Sequence, residues 1–460
     1  MRKVTKRLNA IMAVCAVMCG LSLKAENGQR AETELWQSAI DAMAERGGGV
    51  VSIPKGRHLT GQLYLKSNVE LHLEEGSVLE GLCGLHNYPV HCLPYSEGTW
   101  SAVVMGLAVT NVAITGKGEI FGNGKLFEPV KTYGVCQEGF RPRGLFFSEC
   151  RDIRLEDFRL RDAACWGIVL KCCDGMTARR VKIDSVANLN NDGFDIEAKN
   201  VLIEDCEVQT GDDAFCIKSN NPYFTVENVT IRRCVARSHC NGYKLGTASH
   251  GTMRNIRIEQ CRAAAPRRVY RDLAPMPTDL TRWYPVAGAP TYLCGPGIGA
   301  ICVECVDGGA VEDVFVDDVE VSGFQVPVFV RGGMRRNRAN GIPPGSRHVL
   351  RNVFISNVRG RAEMAIASSV TGVRGCRPEH VVLRNFEIEC VGAGVSDKPF
   401  CEPGEETAGC YPEANMFRDY RLPCYGLYVD QADDVKTENL NFSIRTGTGD
   451  SRASVYFSKR

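Results

Sequence analysis

NVLIEDC at residues 200–206 is followed 28 residues later by NVTIRRC at residues 228–234, and 27 residues after that by NIRIEQC at residues 255–261. Each copy begins with Asn, alternates apolar with polar residues and ends with Cys, so every second side chain points to one side of a strand. Repetition at a fixed period of this size is typical of a solenoid, in which each repeat forms one coil. Weaker copies begin near Asn111, Asp152, Asp313, Asn352 and Asn385.

These repeats predict an all-β fold, a right-handed parallel β-helix. A β-sandwich is the alternative, but its hairpins would contain Asn-Gly or Asp-Gly turns, which are sparse here. A solenoid also needs covered ends. Residues 32–46 predict an N-terminal capping helix, because Trp36, Ile40, Met43 and Ala44 lie at helical spacing before the glycines at 47–49.

The charge balance of the chain excludes some classes of partner. The 460 residues carry 55 Lys and Arg against 54 Asp and Glu, for a net charge of +1. Since the basic residues are scattered, neither nucleic acid nor an anionic membrane is an expected partner. A small soluble substrate or a polysaccharide fits better, and we expect a monomer.

The first residues are typical of an export signal. Arg2, Lys3, Lys6 and Arg7 precede an apolar run at residues 11–23 that is too short to span a bilayer. We expect a signal peptide at residues 1–25, a single β-helix domain at residues 26–460, and a periplasmic or extracellular protein. A lipoprotein anchored at Cys19 is the alternative.

The 22 cysteines have two interpretations in an exported chain. Cys206, Cys234 and Cys261 occupy the same place in successive repeats, which favours small buried thiols stacked in a core. The pairs Cys172 with Cys173 and Cys401 with Cys410 are the better candidates for disulfides. No cysteine pair recurs with histidines at zinc-site spacing, so we expect neither a metal nor another cofactor.

Three aspartates mark the candidate site: Asp192 in the sequence NNDG at residues 190–193, and Asp212 with Asp213 in GDD at residues 211–213. The repeat places them side by side on neighbouring coils. Because adjacent carboxylates are costly to ionise together, such a cluster either holds a metal or shares protons for acid and base catalysis.

These residues and their surroundings resemble glycoside hydrolase family 28, the polygalacturonase family of pectin-degrading enzymes, over nearly all of residues 26–460. NNDG and GDD are similar to that family's Asn-Thr-Asp-Gly and Gly-Asp-Asp. Further similarity lies in residues 39–56, ITGKGEI at 114–120, ACWGI at 164–168, YPE at 411–413, MF at 416–417 and LPCYG at 422–426.

The resemblance implies an inverting hydrolase that cleaves α-linked pectic glycans containing galacturonic acid. Asp212 would be the general acid, whereas Asp192 and Asp213 would hold and activate the water, and Asn190 is expected to bind substrate. Cleaving a glycosidic bond with inversion needs such a division of labour: one carboxyl gives a proton to the leaving oxygen, and another activates water on the opposite face.

Two departures from the family pattern concern the substrate. The family's Gly-His-Gly is replaced by CNG at residues 240–242, and its Arg-Ile-Lys, which grips a galacturonate carboxylate, by ICV at residues 301–303. We expect Lys244 and Lys218 to supply the lost positive charge, and Tyr243 and Tyr223 to stack on sugar rings. A rhamnogalacturonan or side-branch specificity is therefore an alternative to polygalacturonan.

Other residues have weaker claims on the site. His239 and His250 are more often structural in such positions, and Arg335, Arg336 and Arg338 lie in a predicted loop at residues 333–347. A second long excursion is predicted at residues 391–422. Together with the insertion at residues 263–296, it would block one end of a cleft and favour exo action.

Two further classes of function remain open from the sequence. A polysaccharide lyase on the same scaffold would use calcium held by acids and a basic residue. A β-helix that only binds glycan would have lost catalysis along with the histidine.

Overall fold

The chain winds as a succession of short strands behind one capping helix. The computed structural model describes residues 31–95, 99–127, 141–267, 295–335, 347–393, 412–418 and 420–458. The predicted signal peptide, Arg336 with Arg338, and most of the three predicted excursions lie outside these residues. Within them, no helix has the length and apolar character needed to cross a membrane.

The described strands follow one another in short turns. In chain order they are β1 (Gly49–Ile53), β2 (Gly56–Thr60), β3 (Leu63–Tyr64), β4 (Val69–Leu73), β5 (Ser77–Gly81), β6 (His91–Cys92), β7 (Thr99–Trp100), β8 (Ala102–Leu107), β9 (Thr110–Gly116), β10 (Glu119–Phe121), β11 (Arg143–Ser148), β12 (Arg151–Glu156), β13 (Arg159–Arg161), β14 (Ile168–Arg179), β15 (Lys182–Ser185), β16 (Phe194–Glu204), β17 (Glu207–Thr210), β18 (Phe215–Ser219), β19 (Thr225–Arg232), β20 (Val235–Ser238), β21 (Asn241–Ser249), β22 (Thr252–Ala264), β23 (Gly297–Cys305), β24 (Ala310–Gly332), β25 (Val349–Ala362), β26 (Ser368–Thr371), β27 (Pro378–Cys390), β28 (Cys424–Asp430), β29 (Asp433–Ile444) and β30 (Ala453–Phe457).

Each strand pairs in parallel with the equivalent strand of the next coil. For example, β16 pairs with β14 on one side and with β18 and β19 on the other, with Ile168 opposite Phe194 and Phe194 opposite Phe215. Only β6 and β7 among the described strands form an antiparallel pair of strands. The predicted parallel β-helix is thus confirmed.

An asparagine ladder explains why the repeats begin as they do. Asn200, Asn228 and Asn255 have φ angles of 54°, 57° and 51°, a left-handed conformation that Asn tolerates better than most residues. Asn255 donates from its amide to the Asn228 side chain at 2.7 Å, and Asn228 to that of Asn200 at 2.9 Å. The starts of the weaker copies also have positive φ angles: Asn111, Asp152, Asp313, Asn352 and Asn385.

The interior of the coils is a continuous apolar column, to which Phe194, Phe215 and Tyr243 contribute a stack of rings. Their centroids are 5.6 and 5.3 Å apart, with interplanar angles of 5° and 7°. Parallel strands in register place equivalent side chains above one another, so one aromatic position becomes a stack. Burying each such ring contributes roughly 1.5–3 kcal/mol.

The cysteine predictions are confirmed in part. Cys206, Cys234 and Cys261 are buried free thiols, and burial raises the pKa of Cys261 to about 12. The predicted bridge between Cys172 and Cys173 is wrong, since both are free thiols. Cys173 donates to the Phe147 carbonyl inside the coil, whereas Cys172 accepts from the Asn221 amide. Cys401 and Cys410 lie outside the described residues.

The predicted capping helix is confirmed as α1 (Thr33–Glu45). Trp36 and Ile40 are buried against the first coil, and Met43 with Ala44 packs partly against it. The helix ends where glycines begin. At Gly48 the φ angle is 118°, and a Cβ atom would lie 2.4 Å from the Asn68 carbonyl oxygen. Only glycine fits there, because the chain passes directly from the cap onto the first strand.

Candidate active site

Register between neighbouring coils brings Asp192, Asp213 and Asn241 into one column. Each precedes by two positions a ring of the Phe194, Phe215 and Tyr243 stack. The backbone links them, since the Gly193 amide donates to the Asp213 carbonyl at 2.8 Å and the Ala214 amide to the Asn241 carbonyl at 2.8 Å. The three predicted aspartates therefore lie on two adjacent coils.

Asp212 is the most open of the three aspartates. Its side chain is half-buried, whereas Asp192 and Asp213 are buried. Its Oδ1 accepts from the Asp213 backbone amide at 2.9 Å, and its carbonyl accepts from Thr210 Oγ1 at 2.7 Å and Ser238 Oγ at 2.6 Å. These bonds hold the turn in a fixed shape and leave the carboxyl at the more accessible side of the cluster.

Asp192 lies in the most acidic part of the site. Burial raises the pKa of its carboxyl well above the usual range, and the Asp195 charge raises it further, although Lys218 opposes both effects. Lys218 Nζ lies 3.4 Å from Asp192 Oδ2 and 2.7 Å from Asp195 Oδ1. The same ammonium group is 4.1 Å from the centre of a Trp166 ring, a cation–π contact.

Asp213 has the opposite electrostatics. Burial by itself would raise its pKa, but the Lys244 and Lys218 charges and hydrogen bonds from Asn241 and Cys240 lower the pKa below the ordinary value. The pKa values of the two carboxyls are therefore shifted in opposite directions. The residue with the raised pKa is Asp192, which the resemblance places at the water.

The structure corrects the expectation for Lys244. Its side chain is only 1% exposed, and Nζ lies 3.2 Å from Asp213 Oδ2 and 3.8 Å from Glu413 Oε1. Its charge is thus balanced by two carboxylates of the protein. Lys244 positions Asp213 instead of presenting a cation to a sugar carboxylate. Lys218 is slightly more open, at 11%, and remains a predicted substrate contact.

Tyr243 as a sugar-binding residue is also corrected. Its ring is fully buried in the aromatic stack, and its hydroxyl donates to the Cys234 carbonyl at 2.8 Å. Tyr243 is therefore a core residue, because its position in β21 faces inward. Tyr223 is 75% exposed and lies edge-on to Tyr95 at 5.6 Å. Its contact with a sugar ring stays a prediction.

Asn190 is held at the edge of the aspartate turn. Its side-chain oxygen accepts from Arg141 Nη2 at 2.8 Å, and Arg141 also donates to the Leu189 and Ala164 carbonyls. The buried Arg141 therefore fixes the turn that carries Asp192. The predicted contact between Asn190 and substrate stays a prediction.

Two important neighbours of Asp213 were missed at the level of sequence. Asn241 donates from Nδ2 to Asp213 Oδ1 at 2.8 Å and to Glu413 Oε2 at 3.1 Å. Asn241 lies within the CNG that replaces the family's Gly-His-Gly, so its position in the sequence could have indicated that it contacts the aspartates. Glu413 follows a long excursion and belongs to the YPE that contributed to the resemblance, but nothing in that motif indicated contact with an aspartate.

The weaker candidates lie elsewhere in the buried polar network. His239 Nδ1 is 3.0 Å from the Gly295 carbonyl. His250 lies 4.0 Å from Asp307, which pairs with Arg335 at 2.6 Å. These contacts place Arg335 and His250 in a structural cluster around Asp307.

One group of potential metal ligands occurs among the described residues. Ligand atoms of Asp212, Asp213 and Cys240 lie within 4.8 Å of one another. Two carboxylates with one thiol are a mixed set of hard and soft donors. Acidic groups lie this close without binding an ion in many proteins, so the group does not by itself define a metal site.

The fold is a parallel β-helix, and its site groups three aspartates on two adjacent coils. Residues 48–263, just under half of the chain, match the model of Glycosyl hydrolases family 28. The predicted resemblance to this family is confirmed by the match, which does not favour the lyase or the purely glycan-binding alternative.

Curated relatives agree with this match, and a solved structure shares the fold. The chain is 26% identical to a probable polygalacturonase of Vitis vinifera over 51% of its own length and 52% of that protein. It is 25% identical to a probable rhamnogalacturonase E of Aspergillus flavus, over 48% and 45%. The chain thus spans about half the length of the curated relatives it matches. A Thermotoga maritima exopolygalacturonase structure shares the fold, with a TM-score of 0.62 and 21% identity over 78% of this chain and 83% of that one.

Proposed function

We propose that this chain is an exported, inverting hydrolase of α-linked pectic glycans that contain galacturonic acid. The observation that carries the proposal is the split between two stacked carboxyls: the pKa of Asp192 is raised, and that of Asp213 is lowered. The lowered pKa favours Asp213 as the ionised base, with Asp192 beside it at the water, and the half-open Asp212 is the accessible carboxyl that would donate the proton.

In the proposed reaction, Asp212 donates its proton to the glycosidic oxygen as the bond from that oxygen to the anomeric carbon breaks. A water molecule attacks the anomeric carbon from the opposite face and forms the new C–O bond. Asp213, which is ionised, accepts a proton from that water. Asp192 orients the water through its own carboxyl. The product that bears the new C–O bond leaves with inverted configuration at its anomeric carbon, and the other product leaves with the protonated glycosidic oxygen as a hydroxyl.

A specific observation favours a neutral sugar on one side of the cleaved bond. Lys218 is paired with Asp192 and Asp195, and Lys244 is paired with Asp213 and Glu413. A sugar carboxylate next to these ammonium groups would meet charge that is already balanced. A rhamnogalacturonan, in which a neutral sugar alternates with galacturonic acid, is therefore the second candidate substrate.

Export and the extent of the domain complete the proposal. The basic residues before the apolar run at 11–23 support a cleaved signal at residues 1–25, with residues 26–460 as one catalytic domain. All proposed site residues come from one chain, so a monomer would be sufficient. In protein recovered outside the cytoplasm, mass spectrometry should find the N-terminus at residue 26.

The decisive experiment is digestion of homogalacturonan, rhamnogalacturonan and oligogalacturonides by the wild type and by Asp212→Asn. We expect saturated reducing ends of inverted configuration by NMR, and a loss of roughly 10²–10⁴-fold in kcat for the variant. An artificial substrate with a good leaving group should restore much of the loss, because such a group needs little protonation. The same treatment of Asp192→Asn should show no such recovery.

Unsaturated ends that absorb in the near ultraviolet would instead indicate a lyase and contradict the proposal. Full activity of a folded Asp212→Asn variant would remove Asp212 from the role of acid. Random internal fragments from a labelled oligosaccharide would contradict exo action, which is proposed from the insertions alone.

A further inference from the structure

Asp213 and Glu413 are joined on both sides by the same two side chains. Asn241 Nδ2 donates to one oxygen of each carboxyl, at 2.8 Å to Asp213 and 3.1 Å to Glu413. Lys244 Nζ faces the other oxygen of each, at 3.2 and 3.8 Å. The four side chains form a closed ring, which we call the carboxylate ring.

The ring is enclosed in the protein. Asn241 and Lys244 are essentially inaccessible, Asp213 is buried, and the Glu413 side chain is 16% exposed. An amide nitrogen has two hydrogens, so Asn241 can bond both carboxyls at once. With both acids ionised, the ring holds two negative charges against the single positive charge of Lys244, and the removal of either acid changes that balance.

Resting on the function proposed above, we propose that Glu413 is a positioning residue of the active site, which holds Asn241 and Lys244 against Asp213 and sets its basicity. Asn241 offers an amide where the family has an imidazole, and an amide does not titrate. Glu413 supplies the ionisable group that the ring would otherwise lack. Its contribution reaches the substrate only through Asp213.

The charge of the ring changes near neutral pH. Burial raises the pKa of Glu413 to about 7 against the opposing effect of Lys244. The groups that face it are Asp213 and Asp212 from one turn, Lys244 and Cys240 from β21 and its start, and Cys302 and Glu304 from β23. Below pH 7 Glu413 is protonated, so the positive charge of Lys244 stabilises the Asp213 carboxylate alone. Above pH 7 Glu413 is ionised, shares Lys244, and leaves Asp213 a stronger base.

The test compares kcat between pH 5 and pH 8.5 for the wild type and Glu413→Gln. We expect the wild-type kcat to rise through an apparent pKa near 7. The variant, which keeps the shape but does not titrate, should lack that rise and fall behind by about tenfold at pH 8, while staying within about twofold at pH 5. KM should change little, because Glu413 acts on Asp213 and not on the sugar. Glu413→Asp should restore part of the rise.

Glu304→Gln is the matched control. Glu304 is a buried carboxyl whose pKa is raised by burial to about 8, and it interacts electrostatically with Lys244. It lies on β23 and is not part of the carboxylate ring. The rise near pH 7 should persist in this variant. A Glu413→Gln profile parallel to the wild type, or loss of the rise in Glu304→Gln alone, would overturn the proposal.

A second readout keeps the inference separate from the function. In protein labelled with 15N-Asn, the Asn241 side-chain amide signal should shift with an apparent pKa near 7, and the shift should vanish in Glu413→Gln. If no glycan on the panel is cleaved but this titration is seen, the proposed function is wrong and the proposed role of Glu413 in the carboxylate ring is supported. If the glycan is cleaved and the amide does not titrate with Glu413, the ring proposal is wrong.

Discussion

Two columns of side chains lie only two residues apart on the same coils, and the register between coils stabilises one column and destabilises the other. The column of Phe194, Phe215 and Tyr243 repeats aromatic residues, and their rings stack with interplanar angles of 5° and 7°. The column of Asp192, Asp213 and Asn241 cannot repeat in this way, because like charges stacked at coil spacing repel. Register that stabilises the core therefore destabilises the site, unless other segments supply compensating charge.

That charge comes from Lys218 and Lys244. Asn241 also joins the column to Glu413 across a long sequence separation. The repeats alone supply every partner that the apolar column needs, whereas the acidic column needs partners from elsewhere in the chain. A substitution in the first should change stability more than chemistry, and a substitution in the second should do the reverse.

The largest expected effect is on catalysis in the acidic column. Asp213→Asn removes the proposed base but keeps the side-chain volume, so kcat should fall roughly 10²–10⁴-fold. The Tm of the variant should stay within a few degrees of the wild-type Tm, since the substitution removes one charge from a crowded acidic cluster. Equal losses of kcat and of folded protein would show that the two columns are not separable.

The next effect is on the free energy of unfolding through the aromatic column. Tyr243→Ala should cost about 3–5 kcal/mol, because a buried ring leaves a cavity between Phe215 and the next coil. Tyr223→Ala is the matched control at an exposed tyrosine, and its expected effect on unfolding is within about 0.5 kcal/mol. Denaturant titration of both variants measures the difference. A destabilisation of Tyr243→Ala below that of Tyr223→Ala would contradict the assignment of Tyr243 to the core.

The smallest effect concerns the ladder that keeps both columns in register. Asn228→Ala should lose about 1–2 kcal/mol, because Ala is unfavourable at the φ angle of 57° and both ladder bonds disappear. Asn228→Gly tolerates that φ angle and loses only the bonds, so it should be the less destabilised of the two. The opposite order in urea titrations would show that backbone conformation is not what selects Asn there.

The sequence was most informative where physical requirements repeat. The starts of the coils, the cap around Trp36 and the stacked thiols followed from periodicity, since every coil imposes the same constraint. The aspartates followed from local motifs. Tyr243 was assigned to the wrong face because it lies in a run that bears both site and core residues.

The neighbours of Asp213 were harder to predict for a different reason. Lys244 is close to the aspartates in sequence, but its partner Glu413 follows a long segment without periodicity. The distance along the chain does not indicate which carboxylate will meet a given lysine. Contact between them depends on how the C-terminal segment returns to the face of the coils.

The hydrogen bond between Asn241 and Glu413 joins residues 172 positions apart. In a solenoid each coil otherwise touches only its neighbours, so the ends of the stack can open without disturbing the middle. Here the last part of the chain is fastened to its centre. Loosening of the segment around Glu413 would weaken the proposed base while the coils that carry the aspartates stay folded. Activity at high pH would therefore report on the packing of a segment far along the chain.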